Sequence, residues 1–262
     1  MSKINNLICI FKLPAENYKQ IMKNFTHLHV HSQYSILDGL ATTTDLVSIA
    51  KEDGMKALAL TDHGTMFGIK EFYNNCKSAG IKPILGCEVY VAARGRDQKQ
   101  AKEDRSGYHL ILLAKNLTGY YNLLKLVTYS STEGFYYKPR VDRELIEKYH
   151  DGLIASSACL GGEIPQNIMK GNQDDLKDSI LWYKSLFKDD FYLEMMRHDT
   201  DDPKMRAATF ERQVEVNEKL VEISKEYGIK LVATNDVHFA KKDDAEAHDL
   251  LICLVTNSQK ND

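Results

Sequence analysis

Short apolar runs alternate along the chain with longer segments in which apolar residues recur every three or four positions. The short runs predict buried strands, and the longer segments predict amphipathic helices. The predicted strands are Phe25–His31, Ala57–Thr61, Ile84–Val91, His109–Ala114, Leu153–Ser156, Phe191–Met195 and Leu231–Thr234. The predicted helices are Thr44–Lys51, Phe67–Ser78, Tyr120–Ser130, Leu176–Leu186, Ala207–Tyr227 and Asp243–Val255. This alternation favours an α/β fold with a barrel-like parallel sheet.

The chain of 262 residues is long enough to bury a full core in one domain. We expect that domain to cover residues 25–256. Residues 1–24 show no clear hydrophobic period and are expected to form an N-terminal extension of unknown role.

Charge and cysteine content narrow the possible functions. The net charge is −3, and no block of Lys and Arg could grip a phosphate backbone unaided. The five cysteines lack CxxC spacing, which argues against a disulfide scaffold and for the reducing cytoplasm. No P-loop, GxGxxG or GxSxG motif occurs, which excludes the common ATPase, dehydrogenase and serine hydrolase classes.

The strongest chemical signal lies in Thr26–His31, where His29 and His31 stand two positions apart in a predicted strand. Side chains alternate between the two faces of a strand, so both imidazoles can point at one ion. Asp38 follows after a short turn. Taken alone, this segment could equally be a polar strand edge.

Two further predicted strands end in histidine-containing clusters, with Asp62 and His63 after one and Asp236 and His238 after the other. Catalytic groups gather where barrel strands end, so these clusters favour one shared metal site. Asp62 either caps the next helix or orients a neighbouring imidazole. The residues expected to act in catalysis, through a metal-activated water, are His29, His31, His63, Asp236 and His238.

Other positions are weaker candidates. Glu88 is an acid inside an apolar strand, which is uncommon unless it is paired or bound to metal. His109 begins its strand, so a rim histidine is the favoured interpretation from periodicity. Cys159 is either an inert buried thiol or a thiolate ligand. Arg140 and Arg197 could contact phosphate oxygens, although solvated loop charges are the simpler interpretation.

Five segments carry a resemblance to a known family: Phe25–Ser32, Tyr34–Gly39, Ile81–Gly86, Glu133–Tyr137 and Gly161–Gln166. Over about residues 25–256 the chain resembles the PHP (polymerase and histidinol phosphatase) family, and within it the N-terminal domain of bacterial C-family replicative DNA polymerases. The resemblance implies a distorted seven-stranded barrel with a trinuclear metal site. Some polymerases of this kind have lost their ligands, whereas here the set is intact. The implied metal ligands are His29, His31, Asp38, His63, Glu88, His109, Cys159, Asp236 and His238.

Imidazoles with carboxylates and one thiolate suit two or three divalent ions, with Zn²⁺, Mn²⁺ or Fe²⁺ favoured and Mg²⁺ admissible. The resemblance implies a phosphoesterase or 3′–5′ exonuclease acting on the primer 3′ end of DNA. It also implies contacts with the remaining polymerase domains and other replisome subunits, no membrane and a cytoplasmic location. Residues 257–262 would begin the link to the polymerase core, whose active site we do not expect in this chain. The alternatives are a structural domain stapled by metal and a free-standing phosphatase of a small phosphomonoester.

Overall fold

The computed structural model describes residues 25–36, 38–100 and 102–257. Within them, one mixed sheet has the order β1-β2-β3-β5-β6-β7, and β4 pairs with the end of β2. The strands are β1 Ala57–Leu60, β2 Lys82–Val91, β3 Tyr108–Ala114, β4 Arg140–Val141, β5 Leu153–Ser156, β6 Phe191–Met195 and β7 Lys230–Ala233. The predicted α/β architecture with seven strands is therefore confirmed, although β4 was not predicted and the predicted first strand is not among the seven. The predicted extension over residues 1–24 lies outside the described residues, as do residues 258–262 of the predicted link.

Helices connect the strands and cover the sheet. They are α1 Thr43–Glu52, α2 Ile69–Ala79, α3 Leu117–Thr132, α4 Arg143–Tyr149, α5 Glu163–Lys170, α6 Gln173–Phe187, α7 Glu211–Tyr227 and α8 Ala245–Thr256. A helical turn, Pro203–Met205, and a π-helical segment, Arg206–Phe210, lead into α7. The sequence pattern missed α4 and α5, which are only 7 and 8 residues long, because so short a segment shows barely two turns of periodicity.

The prediction of a parallel sheet was wrong at β3. This strand runs antiparallel to both of its neighbours, β2 and β5, whereas β1–β2, β5–β6 and β6–β7 are parallel. The reversal follows from the direct connection between β2 and β3, whose described residues form a loop and a 3-10 turn but no crossover helix. As a consequence, β3 begins at the end of the sheet where its antiparallel neighbours, β2 and β5, finish.

The segment predicted as the first strand, Phe25–His31, lies between the two edges of the sheet. Ala59 N donates to His27 O at 2.9 Å on the β1 side, and His31 N donates to Val237 O at 2.7 Å on the other side. Only Val30 is part of a β-bridge, so the segment is extended chain rather than a regular strand. It nevertheless joins β1 to the segment that follows β7, and it thereby curls the sheet towards a barrel.

The main apolar core lies between the sheet and helices α3 to α7. Leu112, Leu126, Ile146 and Leu193 are among its completely buried side chains. The four cysteines in the described part of the chain are all free thiols. None of the helices formed by the described residues is long and apolar enough to cross a membrane.

Candidate metal centre

Four of the predicted ligands meet at the centre of one end of the sheet. His29 Nε2 lies 2.6 Å from Glu88 Oε2 and 3.1 Å from Asp236 Oδ1. His31 Nε2 lies 3.1 Å from His29 Nε2 and 3.2 Å from Glu88 Oε2. One nitrogen or oxygen from each residue thus faces the same point, and His29, His31 and Glu88 have no exposed surface. This arrangement suits a buried divalent cation.

A second group shares His31 with the first. The imidazole rings of His63 and His238 both pack against the His31 ring, at centroid distances of 4.0 and 4.3 Å, and their own centroids are 5.6 Å apart. The carboxylate of Asp38 lies 3.2 Å from His63 Nε2 and 3.9 Å from His238 Nε2. Three imidazoles therefore face a second candidate ion position, and the Asp38 carboxylate lies beside two of them.

A third group shares Glu88 with the first. Glu88 Oε1 contacts His109 Nδ1, and His109 Nδ1 lies 3.5 Å from Cys159 Sγ. All nine predicted ligands are therefore brought together, with His31 and Glu88 each common to two groups. Candidate ions in the three groups would be immediate neighbours, as in phosphoesterase sites with more than one metal.

The hydrogen bonding of this cluster is incomplete without cations. Buried side-chain atoms that make no hydrogen bond in the described residues are Asp38 Oδ1, His63 Nδ1, Glu88 Oε1, Asp236 Oδ1 and His27 Nδ1. Four of these five belong to the predicted ligands. A buried carboxylate oxygen without a donor is costly, whereas a bound cation would satisfy it. The residues present therefore fit a group of divalent metal ions.

The ionisation of the cluster is consistent with this fit. Burial alone would raise the pKa values of Glu88 and Asp236, but the neighbouring histidines hold both well below their usual values. Burial lowers the pKa of His238 to about 4. Burial would also lower the pKa of His63, but Glu88 and Asp38 raise it to about 10. The carboxylates are therefore ionised, and in the metal-free chain part of their charge is balanced by a proton on His63.

Glu194, which sequence reasoning did not single out, orients His29. This buried carboxylate accepts a hydrogen bond from His29 Nδ1 at 2.7 Å. It also accepts hydrogen bonds from the hydroxyls of Ser156 and Thr234. With Nδ1 protonated, His29 keeps the Nε2 lone pair for a metal. An acid inside the apolar strand β6 was the signal that could have identified it, since the same signal identified Glu88.

Asp62 has the orienting role that was one of its two predicted alternatives. Its carboxylate accepts hydrogen bonds from Ser32 N at 2.6 Å and from Ser35 Oγ at 2.9 Å. Ser35 Oγ in turn accepts from His31 Nδ1 at 3.0 Å, so Asp62 acts on His31 through Ser35. Asp62 does not cap α2, whose N-cap residue Gly68 makes no side-chain capping bond.

Two histidines outside the predicted set help to hold ligand-bearing segments. His248 on α8 donates from Nε2 to the carbonyl oxygen of Asp38 at 3.0 Å. His198 Nε2 lies 2.9 Å from the carbonyl oxygen of Asn235, next to Asp236. No sequence pattern marks either residue, because each acts through a contact distant in sequence.

The backbone close to the ligands adopts conformations that non-glycine residues rarely take. Ala158, before Cys159, has φ 59°, and Asp236 has φ 49°. Left-handed positions of this kind cost about 1–3 kcal/mol and are concentrated at functional sites. Gly161 is also constrained, because a Cβ at this position would lie 3.0 Å from the ring of His109.

The structure contradicts a phosphate contact by Arg140. Its side chain is completely buried, and its guanidinium donates to backbone carbonyls. The acceptors are the carbonyl oxygens of Gly134, Asp104, Arg96 and Gln98, at 2.7 to 3.0 Å. Hydrophobic periodicity could not predict these hydrogen bonds. Arg197 is exposed, so its predicted phosphate contact stays a prediction.

The fold and the ligand cluster define an α/β domain built around a candidate centre of several metal ions. Comparison with known proteins agrees with this class. A family model described as the PHP domain matches residues 27–198, about two thirds of the chain. The chain belongs to the PHP domain family.

Curated relatives make the comparison more specific. Over 239 residues the chain is 48% identical to the DNA polymerase III subunit alpha of Borreliella burgdorferi, a match that covers 91% of this chain and 20% of the relative. The corresponding subunit of Thermus aquaticus is 43% identical over 242 residues, with 91% and 19% covered. The chain thus spans about a fifth of the length of the curated relatives it matches.

A solved structure supports the fold independently. A protein from Bifidobacterium adolescentis, described as a candidate metal-dependent phosphoesterase, superposes with a TM-score of 0.51 at 14% sequence identity. The match covers 81% of this chain and 87% of that protein. At this level of identity the likeness establishes the shared fold.

Proposed function

We propose that the chain is the PHP domain of a bacterial DNA polymerase III alpha subunit and hydrolyses phosphodiesters at a primer 3′ end. The observation that carries this proposal is the meeting of nine candidate ligands in three linked groups at one end of the fold. The relatives named DNA polymerase III subunit alpha supply the context of replication. The remaining polymerase domains and other replisome subunits would then be its partners.

The ligand chemistry supports hydrolysis at phosphorus. When bound, two or three divalent ions such as Zn²⁺, Mn²⁺ or Fe²⁺ would stabilise charge on a phosphoryl group and lower the pKa of a water. His29, His31 and Glu88 would hold the innermost ion, which their burial keeps away from bulk solvent.

The chain's own residues keep those ligands in a productive state. Glu194 holds the Nδ1 proton of His29, and Ser35 holds that of His31. His238 Nδ1 donates to the carbonyl oxygen of Asp236 at 2.9 Å. Each of these three imidazoles therefore presents Nε2 to the cluster. This shared tautomer supports a preorganised site, because the rings need not rotate when ions bind.

The experiment is a primer-trimming assay with Mn²⁺ or Zn²⁺, on a 5′-labelled primer that ends in a mismatch. The purified chain and the parent polymerase are both assayed, and metal content is measured in the same samples. We expect shortening from the 3′ end that His63→Ala and Asp236→Asn abolish. Asp190→Asn, which removes only the half-exposed ion pair with Lys115, serves as a matched control and should trim like the wild type. A fully metal-loaded protein that never trims in either setting would refute hydrolysis.

A second candidate role is structural, and the position of the ligands favours it. His29 and His31 lie on the segment that joins the two edges of the sheet, and Asp236 follows β7 on one of those edges. Ions held there would tie the barrel closed and stabilise it by linkage. A chelator that lowers the melting temperature of a sample inactive in the trimming assay would support this role alone.

A further inference from the structure

The loop of residues 135–139 lies beside the metal cluster and presents an unusual tyrosine. Tyr136 N donates to Lys138 O at 3.0 Å, which closes a tight turn around Tyr137. Tyr137 has φ 62°, a conformation that costs a bulky residue conformational energy. Its side chain is nevertheless 61% exposed, so burial of the ring does not offset this cost. A strained, exposed aromatic residue beside a polar site suggests a contact with a ligand.

The loop is anchored on both sides. Behind it, the buried Arg140 donates to the carbonyl oxygen of Gly134 at 3.0 Å, and its Cζ lies 5.7 Å from the centroid of the Tyr136 ring. In front of it, Pro139 packs against the turn that carries His63, since a Cβ at Gly64 would lie 2.5 Å from Pro139 Cγ. The loop is therefore held firmly against a ligand-bearing turn.

Two cations on this rim are not neutralised by acids. Lys138 Nζ lies 5.4 Å from the Tyr90 ring centroid, and Arg105 Cζ lies 4.9 Å from that of Tyr137. Neither Lys138 nor Arg105 forms an ion pair with any described residue. The Tyr90 ring in turn lies 5.2 Å from the His109 ring, so Lys138 is one aromatic ring away from a predicted ligand. In a chain of net charge −3, free cations here favour an anionic ligand.

We propose that Tyr137, Lys138 and Arg105 form a rim that binds the single-stranded end of a nucleic acid entering the metal cluster. Lys138 contacts a phosphate close to the scissile bond, Tyr137 stacks on a base, and Arg105 contacts a further phosphate. Stacking on a tyrosine tolerates any base, as a site for varied 3′ ends requires. A small phosphomonoester has neither a second phosphate nor a stacked base, so the rim favours polynucleotides. This inference rests on the proposed function and specifies its substrate.

The test measures binding of a 5′-fluorescein single-stranded oligodeoxythymidylate to the chain by fluorescence anisotropy. Ca²⁺ replaces the transition metal, so that binding is read without turnover. We expect Tyr137→Ala to raise the Kd roughly tenfold and Tyr137→Phe, which keeps the ring, to change it less than about twofold. Lys138→Gln should lower the slope of log Kd against log salt by about 0.7, the value for one lost phosphate contact on a single strand.

Matched controls come from α3. Tyr121→Ala removes an α3 tyrosine that is 54% exposed, and Lys125→Gln removes an α3 cation whose Nζ lies 5.2 Å from the Tyr149 ring centroid. Both should bind like the wild type. Absence of wild-type binding, or equal losses in rim and control variants, would overturn the rim.

The same variants separate this inference from the proposed function. Tyr137-dependent binding by a protein that never trims would support the rim and count against hydrolysis. Trimming whose KM for the oligonucleotide is the same in Tyr137→Ala as in the wild type would leave hydrolysis standing and overturn the rim.

Discussion

Two buried polar regions of this chain face the same physical problem and solve it differently. The guanidinium of Arg140 is buried, and four backbone carbonyls accept its hydrogen bonds. The carboxylates of Glu88 and Asp236 lie in the ligand cluster, and each has an oxygen that accepts no hydrogen bond. One region is complete within the chain, whereas the other leaves buried oxygens that bound cations would satisfy.

The difference shows how to distinguish a structural buried charge from a binding site. Burial itself does not discriminate, because Arg140 and Glu88 both have no exposed surface. The number of buried polar atoms without a hydrogen bond does separate a structural charge from a binding site. An unsatisfied buried group costs free energy that a ligand can recover. Four predictions test this comparison, from the largest expected effect to the smallest.

Arg140→Met should destabilise the chain most. It leaves the carbonyl oxygens of Gly134, Asp104, Arg96 and Gln98 without these donors, and we expect a loss of about 3–5 kcal/mol in the free energy of unfolding. Urea denaturation measures the loss. Arg143→Met is the control, because Arg143 makes partly exposed ion pairs that are worth at most about 1 kcal/mol. Equal losses in the two variants would show that the buried hydrogen bonds of Arg140 stabilise the chain no more than an exposed ion pair does.

Removal of metal should have the next largest effect. A chain saturated at a few hundred times the Kd of the metal should lose roughly 3 kcal/mol of stability when a chelator is added. Glu88→Gln, which alters an acid shared by two ligand groups, should be nearly insensitive to the same chelator. Thermal unfolding with and without chelator provides the measurement. Identical curves for the treated and untreated wild type would contradict the view that the cluster is incomplete alone.

Glu194→Gln should weaken metal binding although Glu194 is not itself a candidate ligand. The amide cannot balance the Nδ1 proton of His29 as the carboxylate does, so we expect metal affinity to fall about 10–100-fold. Competition with a chromogenic chelator measures the affinity. Glu222→Gln is the control, since Glu222 pairs only with Lys219 on an exposed helix face. A Glu194 variant that binds metal like this control would remove the positioning role.

Gly161→Ala should have the smallest effect. The new Cβ would lie 3.0 Å from the His109 ring and must displace it. We expect about 1 kcal/mol, or roughly a fivefold loss of affinity, at the ion position that His109 shares with Glu88 and Cys159. Titration followed by metal analysis distinguishes this position if the other ions remain bound. Unchanged affinity for every ion would show that the close approach of Gly161 does not position His109.

Much of the fold could be predicted from the sequence, because β1, β2, β5 and β6 are apolar runs whose bounds agree with the pattern within two residues. The direction of β3 could not be predicted. Hydrophobic alternation reports which side chains share a face, and it is the same whichever way a strand runs. This limitation explains why periodicity placed His109 at the end of its strand away from the other ligands. In an antiparallel β3 it pairs with Tyr90 and faces the cluster.

For the site, residue type and spacing identified His29, His31, His63, Asp236 and His238, because few other roles place imidazoles and carboxylates at several strand ends. The full set, with His109 and Cys159, was implied only by the resemblance to the PHP family. Whether those ligands bind metal stays a prediction that elemental analysis can test. Glu194 and Arg140 show what the pattern could not resolve. His29, which Glu194 orients, lies 165 positions away in the chain, and the acceptors of Arg140 lie 6 to 44 positions away. Hydrophobic periodicity does not report contacts of that kind.

The sequence by itself determined most of the strands and long helices, the faces they bury and the side chains whose chemistry suits a metal. Those properties depend on the chemistry of each residue and its near neighbours. The tertiary structure alone decided the direction of β3, the satisfaction of Arg140 and the one carboxylate oxygen left unsatisfied on each of Glu88 and Asp236. Those properties depend on which distant groups meet, because a buried charge is stable only when the folded chain or a ligand supplies its partners.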